Sequence, residues 1–153
     1  MLNKKTKYGL KALLKLASSP DQTPMHVADL ASGEGIPKKF LEAILLELKN
    51  HGILHSKKGR GGGYQLSRPS HTVMLGDVIR ILSGPLAPIR CASETRYRRC
   101  EDCPREDICG VRAIMKEVRD SAARILDRTS LAAAAAHVEL VKTNGFQAHM
   151  YYI

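Results

Sequence analysis

No uninterrupted apolar run in the 153-residue sequence approaches the roughly 18–20 residues that a bilayer-spanning helix needs, so no membrane span is expected. Met1-Leu2-Asn3-Lys4-Lys5 leads into charged sequence without an apolar core or a small-residue cleavage site. That start is unlike a secretory signal and gives a cytoplasmic expectation. Ser/His/Asp, His-Glu-x-x-His and paired-carboxylate patterns are missing, and His26, His51, His55 and His71 read as surface or turn residues. The one glycine-rich stretch lacks phosphate-loop spacing and no helix follows it, so no enzyme is expected. Cysteine is absent from residues 1–90 and 110–153, which leaves none to fill a core there. With 44% apolar residues the chain is too hydrophobic for a disordered one, and its length suits one core with an extension.

What is present is positive charge. The formal net charge is +9, which points to a polyanionic partner. Residues 1–70 hold twelve Lys and Arg against five Asp and Glu, a net of +7, whereas residues 91–130 are nearly balanced at +1. The polyanion site therefore belongs to the first half.

Apolar spacing over Tyr8–Ala17 predicts a first helix, ended by Ser18-Ser19-Pro20. A short second helix is expected over Met25–Ala31, stopping at Gly33 with Glu34-Gly35 as the turn. The third opens with Pro37 as its first residue and runs to about Asn50, burying Phe40, Leu41, Ile44, Leu45 and Leu48 before a closing Gly52. Ile53–Ser56 and Tyr64–Ser67 read as two strands joined by Lys57-Lys58-Gly59-Arg60-Gly61-Gly62-Gly63. The result is a mainly α fold with a small β-hairpin: a winged helix-turn-helix over residues 1–83. Lys38, Lys39 and Glu42 lie off the apolar stripe of the third helix, where a groove-docked helix meets bases and phosphates; an ordinary solvated face is the competing reading. Lys58 and Arg60 sit on a thin wing suited to phosphate or minor-groove contact.

The four cysteines, Cys91, Cys100, Cys103 and Cys109, fall in a segment (84–109) rich in charge and poor in apolar residues. Such clustering argues for a metal or redox site whose ligand orders the loop. Spacing alone favours zinc over an iron–sulfur cluster, with a thiol–disulfide switch third, and nearby arginines are expected to favour thiolates. Val111, Met115, Val118, Ala122, Ile125 and Thr129 then form a heptad seam on a long helix (110–130), expected to be a dimerisation face; a single amphipathic helix packed on its own domain is the competing reading. From Leu131 a short helix and a loose tail (131–153) are expected, with His137, His149, Tyr151 and Tyr152 as incidental residues.

Four motifs carry a resemblance. They are Lys5-Thr6-Lys7-Tyr8-Gly9-Leu10-Lys11-Ala12-Leu13, Ile36-Pro37-Lys38-Lys39-Phe40-Leu41-Glu42, Gly59-Arg60-Gly61-Gly62-Gly63-Tyr64-Gln65-Leu66 and Leu75-Gly76-Asp77-Val78-Ile79-Arg80. From about residue 2 to 131 the chain resembles the IscR/NsrR/CymR-type bacterial transcription regulators. The resemblance implies a homodimeric winged-helix protein, usually a repressor, that binds double-stranded DNA at a pseudo-palindromic operator. It places Lys39, Phe40 and Glu42 in the base- and backbone-contacting stretch and Lys58, Gly59 and Arg60 at the wing tip, with Arg60 where members often carry proline. It also reverses the metal ranking: Cys91, Cys109 and one or both of Cys100 and Cys103 look like ligands of a 2Fe-2S or 4Fe-4S cluster. The chain departs from the family in having four cysteines rather than three, and in carrying Arg112 where one member has a histidine ligand. A zinc-stabilised or thiol-switched nucleic-acid-associated adaptor is the alternative.

Overall fold

In the computed structural model, which describes residues 2–19 and 23–144, helix α1 (Lys4–Ala17) starts where Asn3 accepts the Thr6 N–H at 2.8 Å on its side-chain oxygen. Helices α2 (Val27–Glu34) and α3 (Lys38–Asn50) follow, then strands β1 (Leu54–Lys57) and β2 (Gly63–Leu66), then α4 (Leu75–Ser83), α5 (Gly110–Leu126) and α6 (Leu131–Asn144). The strands pair antiparallel from Leu54 opposite Leu66 to Lys57 opposite Gly63. The core is continuous from α1 through the hairpin: Leu13, Leu30, Leu41, Leu45, Leu48 and Val78 are all fully buried. Each such leucine contributes about 2–3 kcal/mol by leaving water, which sets the orientation of α3 on α1 and α2.

The expected elements are present, with local corrections. α2 begins at Val27, because Met25 is taken into the hairpin: its N–H and C=O each bond Tyr64 at 2.9 Å. The helix also runs past Gly33 and ends at Gly35, which is left-handed at φ 64°. Pro37 precedes α3 rather than opening it, with extended ψ of 123°. At the far end the Gly52 N–H bonds Lys49 O at 2.9 Å and the Ile53 N–H bonds Leu48 O at 2.9 Å, the paired closure that a glycine after the helix permits. Phe40 does not belong to the buried stripe. It is 40% exposed and meets the Tyr8 ring edge-on at 5.8 Å.

The helix expected from Leu131 is present and runs to Asn144, longer than a short helix. α6 is a 14-residue helix whose Leu131 is fully buried in the main core and whose Ala135 is also buried. His137 is exposed on it, while His149, Tyr151 and Tyr152 lie outside the described residues. Among the described residues no helix is long and apolar enough to cross a membrane.

The start of α6 is tied to the start of α4 by Leu131 N–H to Val73 O and Leu75 N–H to Thr129 O, both 2.9 Å. Beside them, Arg80 of α4 grips Asp127, just past α5, with two bonds of 2.6 and 2.8 Å. The Arg80 guanidinium holds the Asp127 carboxyl below its ordinary value of 3.8. The stability from this depression is present above the unfolded carboxyl's pKa and fades as pH falls through the lower folded value. Asp127→Asn is therefore expected to cost up to about 1 kcal/mol at pH 7, because the pair is exposed, and progressively less below about pH 4. Urea unfolding of both proteins across that range checks this; a pH-independent difference would refute it.

Candidate nucleic-acid interface and cysteine loop

Lys38, Lys39, Phe40 and Glu42 all lie exposed at the N-terminal end of α3. Lys38 and Glu42 are one turn apart, with 3.9 Å between Nζ and Oε1, an open pair that costs little to break for a polyanion. Lys39, Lys58 and Arg60 have no acidic partner within 4.0 Å among the described residues. Lys5 and Lys11, by contrast, are neutralised locally by Glu47 at 2.6 Å and Glu34 at 3.0 Å. Lys4, Lys7 and Lys15 of α1, Lys49, Lys57 and Arg68 likewise have no acid within 4.0 Å among the described residues, so the uncompensated charge of the first half is spread over α1, α3 and the hairpin.

The wing needs its glycines. Gly63 has φ 136°, and a Cβ there would run into the Met25 carbonyl that holds the hairpin's base. Between the strands Lys58, Gly59 and Arg60 are exposed at the tip.

In the second half Cys91 is buried at 7% exposure, in a 3-10 turn of Arg90–Ala92. Two arginines of α5 stitch that turn to the helix: Arg112 Nε donates to Cys91 O at 2.9 Å, and Arg119 Nη1 donates to Ala92 O at 2.6 Å. Seven residues apart, they stand on one helix face. Cys109 is the residue before α5, its sulfur accepting the Arg112 backbone N–H at 3.5 Å. Glu106 accepts the Cys100 N–H at 2.9 Å and the Tyr97 hydroxyl, and the Tyr97 ring lies 5.9 Å from the Arg112 guanidinium.

All four cysteines line one cavity of about 490 Å³. Four thiols are the donor set that iron–sulfur clusters and structural zinc both accept, so the residues fit a thiolate-held centre. Among the described residues no group of three or more His, Cys, Asp or Glu stands ready to hold a single metal ion. The thiols share a cavity wall without closing on one point.

The expectation that arginine charge lowers the thiol pKa values needs revision. Hydrogen bonds with Cys100 first, then Cys109, push Cys103 up to about 11. Cys109 is lowered, chiefly by the Arg112 backbone N–H at the start of α5; the Arg112 guanidinium is a lesser cause. The sequence marks Arg112 only as standing at a relative's ligand position, and does not single out Arg119, Tyr97 or Glu106 as site residues. The seven-residue step between the two arginines was the available signal.

The geometry has relatives. A family model named Rrf2, described as an iron-dependent transcriptional regulator, matches residues 2–137. The chain belongs to the Rrf2 family. An rrf2-like HTH-type transcriptional regulator of Rhodobacter capsulatus is 37% identical over 134 residues, covering 86% of this chain and 89% of that protein. HTH-type transcriptional regulator CymR of Bacillus subtilis is 29% identical over 153 residues, covering 99% of each. Among solved structures, CymR, titled the global cysteine regulator of B. subtilis, superposes with TM-score 0.74 at 27% identity, over 90% of this chain and 97% of that one. IscR of T. potens gives 0.73 at 25%, over 99% and 96%.

As an Rrf2 protein the chain is a winged-helix, DNA-binding transcriptional regulator, and its relatives are named as regulators rather than enzymes. The Rrf2 match also spans α5, the cysteine loop and the buried beginning of α6.

Proposed function

We propose that this Rrf2 regulator is a homodimeric repressor that reads a pseudo-palindromic operator in duplex DNA, and that Cys91, Cys100, Cys103 and Cys109 hold an iron–sulfur cluster that modulates binding. Four thiols on the wall of one cavity, next to the start of α5, are the observation that carries the sensing part. When bound, the cluster supplies a redox-responsive cross-link among loop segments that otherwise have little apolar material to pack. Arg112 and Arg119 keep Cys91 and Ala92 on α5, and the Arg80–Asp127 pair joins the other end of α5 to α4, which packs on α1 and α3. A change in the loop thus has an unbroken route to the reading helix.

On the DNA side, Lys38 and Lys39 contact phosphates with Phe40 packed beside them, Glu42 accepts from a base edge, and Lys58, Gly59 and Arg60 meet the backbone or minor groove. Removing Lys58 and Arg60 together should weaken binding to all sequences and reduce the slope of log K against log salt by about 2. Glu42→Ala should instead relax preference at one base pair by about 1–3 kcal/mol. Fluorescence anisotropy with operator and scrambled duplexes across a salt series checks both. Unchanged sequence preference in Glu42→Ala would remove its reader role.

Four free thiols on one cavity wall also support a second reading, a thiol–disulfide switch. Anaerobic purification followed by a visible spectrum and iron, zinc and sulfide analysis separates the two. Iron with sulfide supports the cluster, zinc supports the adaptor reading, and colourless metal-free protein with a reducible cross-link supports the switch.

A further inference from the structure

A second cavity, of about 480 Å³, lies between the end of α4 and the turn that carries Cys91. Arg90, Arg96 and Arg98 all line it, and no acidic residue does. Arg98 gives one nitrogen to Glu101 at 2.9 Å, an exposed pair of little strength. The Arg90 and Arg96 guanidiniums have no ion-pair or hydrogen-bond partner among the described residues. A Cβ built on Gly84 would lie 3.5 Å from Arg96 Nη1, so this guanidinium sits over the end of α4. Ser93 adds a hydroxyl that accepts the Arg96 backbone N–H at 3.0 Å and keeps its own proton to donate. Pro88 and Ile89 form an apolar part of the wall.

Three like charges around one concavity repel each other unless an anion stands between them. Guanidinium forks match the oxygens and the near −2 charge of a phosphate monoester better than a single carboxylate. The volume is in the range of small-molecule sites, and the apolar wall suits an organic substituent rather than a bare ion. We infer that this three-arginine cavity binds a small organic phosphate as an effector. Arg90 and Arg98 also line the cysteine cavity. The occupant is therefore a second input to the loop, delivered through side chains that both cavities share.

Titration calorimetry of the metal-free full-length chain tests this with phenyl phosphate, inorganic phosphate and benzoate. Phenyl phosphate should bind at one site per chain, more tightly than either of the others. Arg90→Gln and Arg96→Gln should each weaken it about tenfold or more, and Arg96→Lys, which keeps the charge but loses the fork, should also weaken it. The wing variant Lys58→Gln should leave it unchanged. Absence of saturable heat up to about 10 mM overturns the proposal, as does equal loss in Lys58→Gln, which would mean diffuse charge attraction. Phenyl phosphate no tighter than inorganic phosphate overturns the organic assignment. Circular dichroism melting confirms that each variant is folded. Repeating the titration on anaerobically reconstituted protein separates this site from the cluster reading: binding absent from both preparations overturns the phosphate site, whereas failure to take up iron and sulfide overturns the cluster alone.

Discussion

Cys109→Ser is expected to leave the metal-free protein folded while abolishing its visible absorbance and its bound iron and sulfide after anaerobic reconstitution. Serine is a good residue at the position before a helix, and its oxygen can accept the Arg112 N–H that the sulfur accepts now. Helix α5 should therefore keep its start, with stability changed by no more than about 1 kcal/mol. A hydroxyl is a poor replacement for a soft thiolate on iron, so ligation fails where the structure does not. Cys91→Ser should lose the centre as well, but with a larger stability cost because that sulfur is buried. Cys100→Ser and Cys103→Ser identify any spare: a variant that retains colour and iron has lost a non-ligand. DNA affinity supplies the functional arm. Loaded wild type should differ from metal-free wild type, whereas Cys109→Ser should give the metal-free value under both conditions. Full iron content in Cys109→Ser would end the cluster assignment for this residue, and equal affinities in the two wild-type forms would end the sensing role.

Val118→Asp should convert the protein from dimer to monomer. No residue of α5 is buried, and Val111 (65% exposed), Ile114 (58%), Val118 (45%) and Ile125 (65%) form a stripe along it at steps of three, four and seven. Apolar side chains so arranged, next to a folded core they do not join, have the pattern of a helix that meets its own copy. The seam differs from the sequence reading. Ile114 is on it in place of Met115, which is half-buried, as is Ala122, on the face shared by Arg112 and Arg119; Thr129 lies past the helix, which ends at Leu126 rather than near 130. A carboxylate at position 118 would be buried twice across a two-fold interface without a partner. Sedimentation equilibrium should then return the 16.8 kDa chain mass rather than twice that value. Operator affinity should fall about 100-fold or more, since each half-site must be held alone, while the melting of the head changes little. A dimer that survived Val118→Asp would move the interface elsewhere.

The parts of the fold legible in the sequence are those that local chemistry dictates. Apolar period and glycine punctuation give α1, α3 and the hairpin, and the step from Lys57 to Gly63 gives the wing. Phe40 misled because it stands at helical spacing with Leu41 and Ile44, yet its ring lies at the margin against Tyr8. Met25 pairing with Tyr64 joins residues thirty-nine positions apart through backbone groups, which every residue carries, so no side-chain pattern announces it. The helix of α6 is legible in the sequence, but its docking is not, because its alanines are apolar on every side; only the burial of Leu131 and Ala135 shows which face docks, and that requires α1 to be in place. In the candidate site, cysteine identity and clustering were plain. The arginine bonds to the Cys91 and Ala92 carbonyls were not, because the acceptors are again backbone oxygens.

The Arg80–Asp127 grip also has a mechanical meaning. It fixes one end of a 17-residue helix, about 25 Å long at 1.5 Å per residue, while the other end carries Cys109. Such a helix is a lever with its fulcrum at the head: a tilt of about 5° at the fixed end moves the cysteine end by about 2 Å. Run in reverse, a displacement of about 2 Å in the loop is reduced at the head to a few degrees of rotation. Rotation of that size redirects a reading helix in a groove without disturbing the packing beneath it.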